Sequence, residues 1–186
     1  YRDLNFHINA KERFLVVGEN GVGKSTLLKL MMGIQTPDRG NIRFHPNTDV
    51  AYYAQELEQL DLQKTVLENV SAQGCTMKQL RSVLSNFLFY EDDINKKAEV
   101  LSPGEKARIA LCRILLQKAN FLILDEPTNH LDPETQEVIG RNFRRFEGTI
   151  MVVSHNRRFV EQIGINRVLR LPSGRVEDYT WGYTSF

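Results

Sequence analysis

Eight residues constrain this chain more than any others. Gly18-Glu19-Asn20-Gly21-Val22-Gly23-Lys24-Ser25 fits the spacing G-x-x-x-x-G-K-[S/T], in which glycines let backbone amides wrap closely around phosphate groups. The apolar, β-branched run Arg13-Phe14-Leu15-Val16-Val17 before it suits a buried strand. The run Thr26-Leu27-Leu28-Lys29-Leu30-Met31-Met32 after it suits a helix closed by Gly33. Strand, loop and helix in that order aim N–H groups and a positive helix end at an anion. Lys24 is placed to reach the β- and γ-phosphates of a nucleotide, and the Ser25 hydroxyl to hold Mg²⁺. The bland alternative is a glycine-rich turn with an accidental lysine, and the flanking elements weigh against it.

With 186 residues, 41% of them hydrophobic and 25% charged, the chain can bury a substantial core. A net charge of +1 argues against a strongly basic surface. The clusters Arg141-Arg144-Arg145 and Arg157-Arg158 read more naturally as solvated helix faces than as phosphate contacts. No apolar run approaches the ~18 residues of a membrane span, and there is no signal-peptide pattern. Cys75 and Cys112 match no zinc or redox spacing, so a reduced, cytoplasmic setting is expected. Residues 1–8 already alternate polar and apolar, which reads as a strand and as a piece of a longer chain.

Further along, strands are expected at 41–44, after the turn Pro37-Asp38-Arg39-Gly40, and at 50–54, running into Gln55. Gln55 alone is equally well a surface glutamine. A helical segment follows, approximately 60–118. Thr65-Val66-Leu67-Glu68 and Thr76-Met77-Lys78-Gln79 open helices with capping boxes, and Leu80, Val83, Leu84, Phe87 and Leu88 form one apolar face. Ser102 and Glu105 make a third capping box with Pro103 at the first helical position. A helix start bearing a serine hydroxyl is also an anion site.

Phe121-Leu122-Ile123-Leu124-Asp125-Glu126 is an apolar strand ending in two carboxylates. In a phosphate-loop ATPase such a strand delivers an Asp to the Mg²⁺ shell, leaving Glu126 to polarise the attacking water. Side chains alternate along a strand, so the chain must turn at its end for both to face one site. A turn at 127–132, a helix opened by Pro133 and running to about Phe146, and a strand at 149–153 ending in Ser154-His155 come next. The closing segments 167–171 and 175–178 read as a hairpin around Pro172-Ser173-Gly174, followed by an aromatic tail at 181–186 that suits packing.

Taken in order, these motifs resemble an ATP-binding cassette (ABC) domain over essentially the whole chain. Residues 18–25 match its Walker A loop, Gln55 its Q-loop, 101–106 its signature motif and 122–125 its Walker B strand. Glu126 matches the catalytic glutamate, 128–132 the D-loop and His155 the switch histidine. The segment Asp125-Glu126-Pro127-Thr128-Asn129-His130-Leu131-Asp132 is similar to the D-loop of the ABC-F group, soluble twin-cassette ATPases many of which act on the ribosome as translation factors or in antibiotic resistance. Gly18-Glu19-Asn20-Gly21, Tyr53-Ala54-Gln55-Glu56 and Gly182-Tyr183-Thr184-Ser185-Phe186 resemble that group too. The short helical segment, without an arm insertion, resembles a second cassette.

The resemblance implies an α/β P-loop fold with a parallel core sheet, an antiparallel β subdomain and a small helical subdomain, all within a single domain at 1–186. It implies MgATP held by Gly18, Asn20, Gly21, Gly23, Lys24, Ser25 and Thr26, with Ser25, Gln55 and Asp125 at the metal. Glu126, His155 and Gln55 are the implied catalytic residues, and Ser102 and Gly104 would serve the nucleotide of a second cassette. The ribosome is the implied partner. The alternative is the nucleotide-binding subunit of a membrane transporter, which would need a membrane partner. Pro103 departs from the family, which has a glycine there, and the adenine-stacking aromatic residue would lie upstream of Tyr1.

Overall fold

The computed structural model describes residues 3–54, 60–71 and 74–180. Side-chain alternation along β1 (Arg13–Val17) splits the core into two layers. Leu15 and Val17 join one buried cluster, and Phe14 and Val16 the other. The same division runs through β2 (Val50–Ala54), β3 (Phe121–Asp125) and β4 (Thr149–Val153). Leu122, Leu124, Ile150 and Val152 face the first layer; Phe121, Ile123, Met151 and Val153 face the second. Burial on both faces explains why these strands read as continuous apolar runs.

Together with β5 (Arg167–Arg170) and β6 (Arg175–Asp178), these strands form one six-stranded sheet in the order β2-β3-β4-β1-β5-β6. All neighbours are parallel except β5 and β6, which form the expected antiparallel hairpin. Parallel register sets Ala54 beside Asp125 and Asp125 beside Val153. The loops leaving β1, β2, β3 and β4 therefore emerge along a single edge of the sheet. Ligands of open α/β proteins bind at that edge.

One face is covered by α1 (Lys24–Met31), through Leu27, Leu28 and Met31. The helix ends as its Gly33 predicts: Gly33 N–H donates to Leu30 O at 3.1 Å and Ile34 N–H to Lys29 O at 3.0 Å, a Schellman closure. The other face is covered by α4 (Pro103–Leu116), α5 (Pro133–Arg144) and α6 (Arg157–Ile163). Two further helices, α2 (Val66–Val70) and α3 (Met77–Asn86), bury Val66, Leu84 and the following Phe87 in the same cluster as Leu122 and Ile150. The helical segment thus shares its core with the sheet. All three expected capping boxes, at Thr65, Thr76 and Ser102, are formed.

Two expected strands are not built as ladders. Residues 3–8 and 41–44 pair with no strand among the described residues. In the first, Leu4, Phe6 and Ile8 are half-buried against the second core layer, whereas Asn5 and His7 are exposed. The alternation there reports one-sided burial, and a ladder needs a partner that alternation does not supply. In the second, Phe44 tilts against Phe121 with ring centroids 6.1 Å apart, while Ile42 and Phe44 stay 41% and 38% exposed, so the contact is by side chain and not by a backbone ladder. Residues 181–186, expected to pack, lie outside the described residues.

Candidate nucleotide site

The loop between β1 and α1 is set by its backbone. Gly23, the N-cap of α1, has φ 101° and ψ 26°, left-handed values that a side chain makes costly. Having no side chain, it gives α1 no side-chain cap, and no carboxylate stands in the first turn. Thr65, Thr76, Ser102, Asp132 and Asn156 all cap their own helices with a side-chain oxygen. The start of α1 is the exception, and it is the helix end that suits an external anion.

Lys24 is 9% exposed, and its ammonium donates to Gly18 O at 2.7 Å and Glu19 O at 3.2 Å. The charge is thereby held against the loop instead of extending into solvent. Two further bonds shape the loop, from Val22 N–H to Glu19 O at 3.2 Å and from Leu27 N–H to Gly23 O at 2.9 Å. Asn20, Gly21, Ser25 and Thr26 are exposed along it.

Asp125 ends β3 half-buried, and the chain then turns sharply. Glu126 has φ 47°, in the left-handed region, and its N–H donates to Val153 O at 2.9 Å. Such a backbone is uncommon for a residue with a side chain and clusters at functional sites. The turn breaks the strand's alternation, so Glu126 can share a site with Asp125, as the sequence requires. Glu126 Oε1 stands 3.4 Å from His155 Nε2, and His155 N–H points at Glu126 Oε2 at 3.4 Å. Burial pushes the Glu126 carboxyl above the ordinary carboxylate range. His155 opposes that rise most, Asp125 adds to it and Lys24 opposes it. Lys24, Asp125 and His155, drawn from three strand ends, therefore all lie within electrostatic reach of Glu126.

Ser102 and Gly104 are placed differently. Ser102 is exposed at the N-cap of α4, where its hydroxyl and amide both meet Glu105 Oε2, at 2.7 and 2.8 Å. A β-carbon on Gly104 would stand 2.8 Å from His130 O, so the first turn of α4 lies directly on the loop after Glu126. Gln55 lies outside the described residues. Sequence reading missed Gln136 and Asn156, which join the loops after β3 and β4. Asn156 Nδ2 donates to Gln136 Oε1 at 2.5 Å, and Gln136 Nε2 donates to Leu131 O at 2.8 Å. The available signal was Asn156 itself, a good N-cap residue directly after the histidine.

A phosphate loop at one strand end, paired carboxylates at a second and a histidine at a third define a P-loop ATPase domain. The ABC transporter family model matches residues 1–129. The chain belongs to that family. It is 45% identical over 97% of its length to the putative ATP-binding protein YdiF of Bacillus subtilis (strain 168). It is 37% identical over all of its length to ABC transporter F family member 5 of Arabidopsis thaliana. The chain spans 28% and 27% of those two relatives. Among solved structures it is similar to the dimeric ATP-binding cassette MJ0796 bound to ADP and Pi. That match has TM-score 0.76 and 24% identity, and covers 94% of this chain and 88% of that one. It is also similar to the archaeal ribosome recycling factor aABCE1 in complex with the ribosomal stalk protein aP1. There the TM-score is 0.73 and the identity 28%, over 88% of this chain and 32% of that one.

Proposed function

We propose that residues 1–186 form one cassette, the second, of a cytoplasmic ABC-F ATPase that acts on the ribosome. In this reading the segment at approximately 60–118 is its helical subdomain. The observation that carries the chemistry is the convergence of Lys24, Asp125, Glu126 and His155 at one sheet edge. F-family relatives matched over the whole chain, and likeness to a ribosome recycling factor, support the partner.

ATP lies along the residues 18–26 loop. Its γ-phosphate is met by Lys24 and by amides of the α1 start, which no side chain caps. The Ser25 hydroxyl, the Asp125 carboxylate and Gln55 would hold Mg²⁺, which favours oxygen donors such as these. When bound, the ion neutralises charge on the β- and γ-phosphates. Glu126 orients and deprotonates the attacking water, and His155 beside it opposes the rise that burial imposes on its carboxyl. His155, half-exposed, faces the γ-phosphate. Ser102 and Gly104 present the α4 start to nucleotide on the other cassette. ATP bridging two cassettes drives closure, and hydrolysis reopens them.

Ribosome co-sedimentation tests this. The full-length parent carrying Glu126→Gln and its first-cassette equivalent should pellet with ribosomes only when ATP is present. Failure to bind in either state, with ATP binding intact, would reject the ribosome and direct the search to a membrane partner. Among the described residues no helix is long and apolar enough to cross a membrane.

A further inference from the structure

His155 is half-exposed, and its contacts to Glu126 are long at 3.4 Å. A side chain held so lightly is oriented by the backbone on either side of it. On one side Ser154 is 4% exposed, and its hydroxyl accepts from Asn156 N–H at 3.1 Å. On the other side Asn156 makes two bonds of opposite sense. Its Oδ1 accepts from Phe159 N–H at 2.9 Å, and its Nδ2 donates to Gln136 Oε1 at 2.5 Å.

The polarity of this network is fixed by chemistry. The carbonyls of Leu131 and Thr128 can only accept, so the Gln136 Nε2 that reaches them, at 2.8 and 3.5 Å, must be the donor end. Its oxygen then faces Asn156, which must offer nitrogen. Phe159 N–H can only donate, and it demands the Asn156 oxygen. Both amides have one orientation each, and neither could be a carboxylate without setting acceptor against acceptor.

These bonds close a ring. Glu126 O accepts from Asn129 N–H at 3.2 Å, and Thr128 O accepts from Leu131 N–H at 3.2 Å. Gln136 reaches back to that loop, Asn156 reaches Gln136, and His155 beside Asn156 returns to Glu126. The outer side of the same loop, at His130 O, is in contact with the Gly104 turn that carries Ser102.

We infer that Gln136 and Asn156 are positioning residues that seat His155 on Glu126 and make that seat follow the 128–131 loop. The hydrolytic pair of this cassette is thereby tied to the loop lying against its own signature turn. The inference rests on the roles proposed above for Glu126 and His155.

The test uses the full-length parent with the catalytic glutamate of the other cassette replaced by glutamine, so that turnover reports this site. Gln136→Met keeps length and volume but loses all three side-chain bonds. Asn156→Asp keeps the cap on Phe159 N–H but opposes the Gln136 oxygen. Each should lower kcat by about 10- to 100-fold, the scale of a misplaced catalytic group, with KM unchanged. Gln136→Lys combined with Asn156→Asp restores a donor between the new carboxylate and Leu131 O, and should recover most of the loss. Wild-type kcat in both single variants would overturn the inference, as would losses that the double variant fails to recover and that parallel a lowered Tm. Glu126→Gln in the same background separates the two readings. If it abolishes turnover while the Gln136 and Asn156 variants do not affect it, the positioning role alone is wrong. If it leaves turnover intact, the catalytic pair and its positioning both fall.

Discussion

Glu126 and His155, 29 residues apart in sequence, face each other through both side chain and backbone, with Oε1 and Oε2 each 3.4 Å from a His155 nitrogen. The contact exists because β3 and β4 are adjacent, parallel and in register at Asp125 and Val153. Each residue is the first or second beyond its strand. Topology, more than loop sequence, makes the pair.

If Glu126 is the general base, Glu126→Gln should reduce ATP turnover at this site by about 10²–10⁴-fold, read in the parent whose other cassette has its catalytic glutamate replaced by glutamine. The amide is isosteric and leaves Lys24 and the loop untouched, so ATP affinity should stay within a few-fold. Single-turnover hydrolysis and equilibrium nucleotide binding, measured on one preparation, check both halves.

The same carboxyl predicts a pH dependence of stability. Its folded pKa is raised above the ordinary 4.5, chiefly by burial. Between those two values the folded chain binds more protons than the unfolded chain, so stability falls as pH rises through that window. Above it the cost of a buried charge is present in full. Glu126→Gln removes the cost. The variant should therefore melt higher than wild type at neutral pH, with the difference closing as pH drops below 4.5. Turnover runs the opposite way, because the base must be ionised, and is lost as pH falls through the raised value. Paired Tm–pH and rate–pH series on the two proteins are the measurement.

Thiol labelling should separate the two cysteines. Cys112 is buried in α4, and burial pushes its thiol up to about 12; Cys75 is partly exposed. Thiolate is the reactive form. Native protein at pH 7–8 should take up one equivalent of maleimide, at Cys75, and a second only on unfolding. Peptide mapping after a timed quench identifies the site.

How much was legible from sequence follows the range of the interaction. Helix starts at Thr65, Thr76 and Ser102 were readable because a capping box is complete within four residues. The loop at 18–25 was readable because one turn of backbone makes it. Asp125 and Glu126 were readable as a strand end, although the left-handed turn that lets them share a site left no mark in composition. Residues 3–8 misled because alternation records which side is buried and says nothing about a ladder partner. Gln136 and Asn156 were missed for a stronger reason: their bond spans 20 residues and two elements, and each has a sufficient local explanation as a helix residue or a cap.

Ser102 tests whether a local capping device also serves a distant nucleotide. Ser102 and Thr76 cap their helices with the same box: the hydroxyl accepts from the third residue's N–H, and that residue's side chain returns to the cap amide. Loss of either hydroxyl should cost about 1 kcal/mol, or ~2–4 °C in Tm for a chain of this size. Ser102→Ala and Thr76→Ala should therefore melt alike. Their activities should differ. Thr76 stands on α3 in the helical segment with no proposed ligand, whereas Ser102 stands at the turn resting on His130 O and is proposed to meet the partner's γ-phosphate. Under that proposal Pro103 supplies no N–H in that turn, so the Ser102 hydroxyl would carry a larger share of the contact. Ser102→Ala in the full-length parent should weaken ATP-driven closure and lower turnover at the opposite site by about 10-fold, the scale of one hydrogen bond to a charged group. Thr76→Ala should leave both unchanged. Equal activity in the two variants, with matched losses of Tm, would confine Ser102 to its helix.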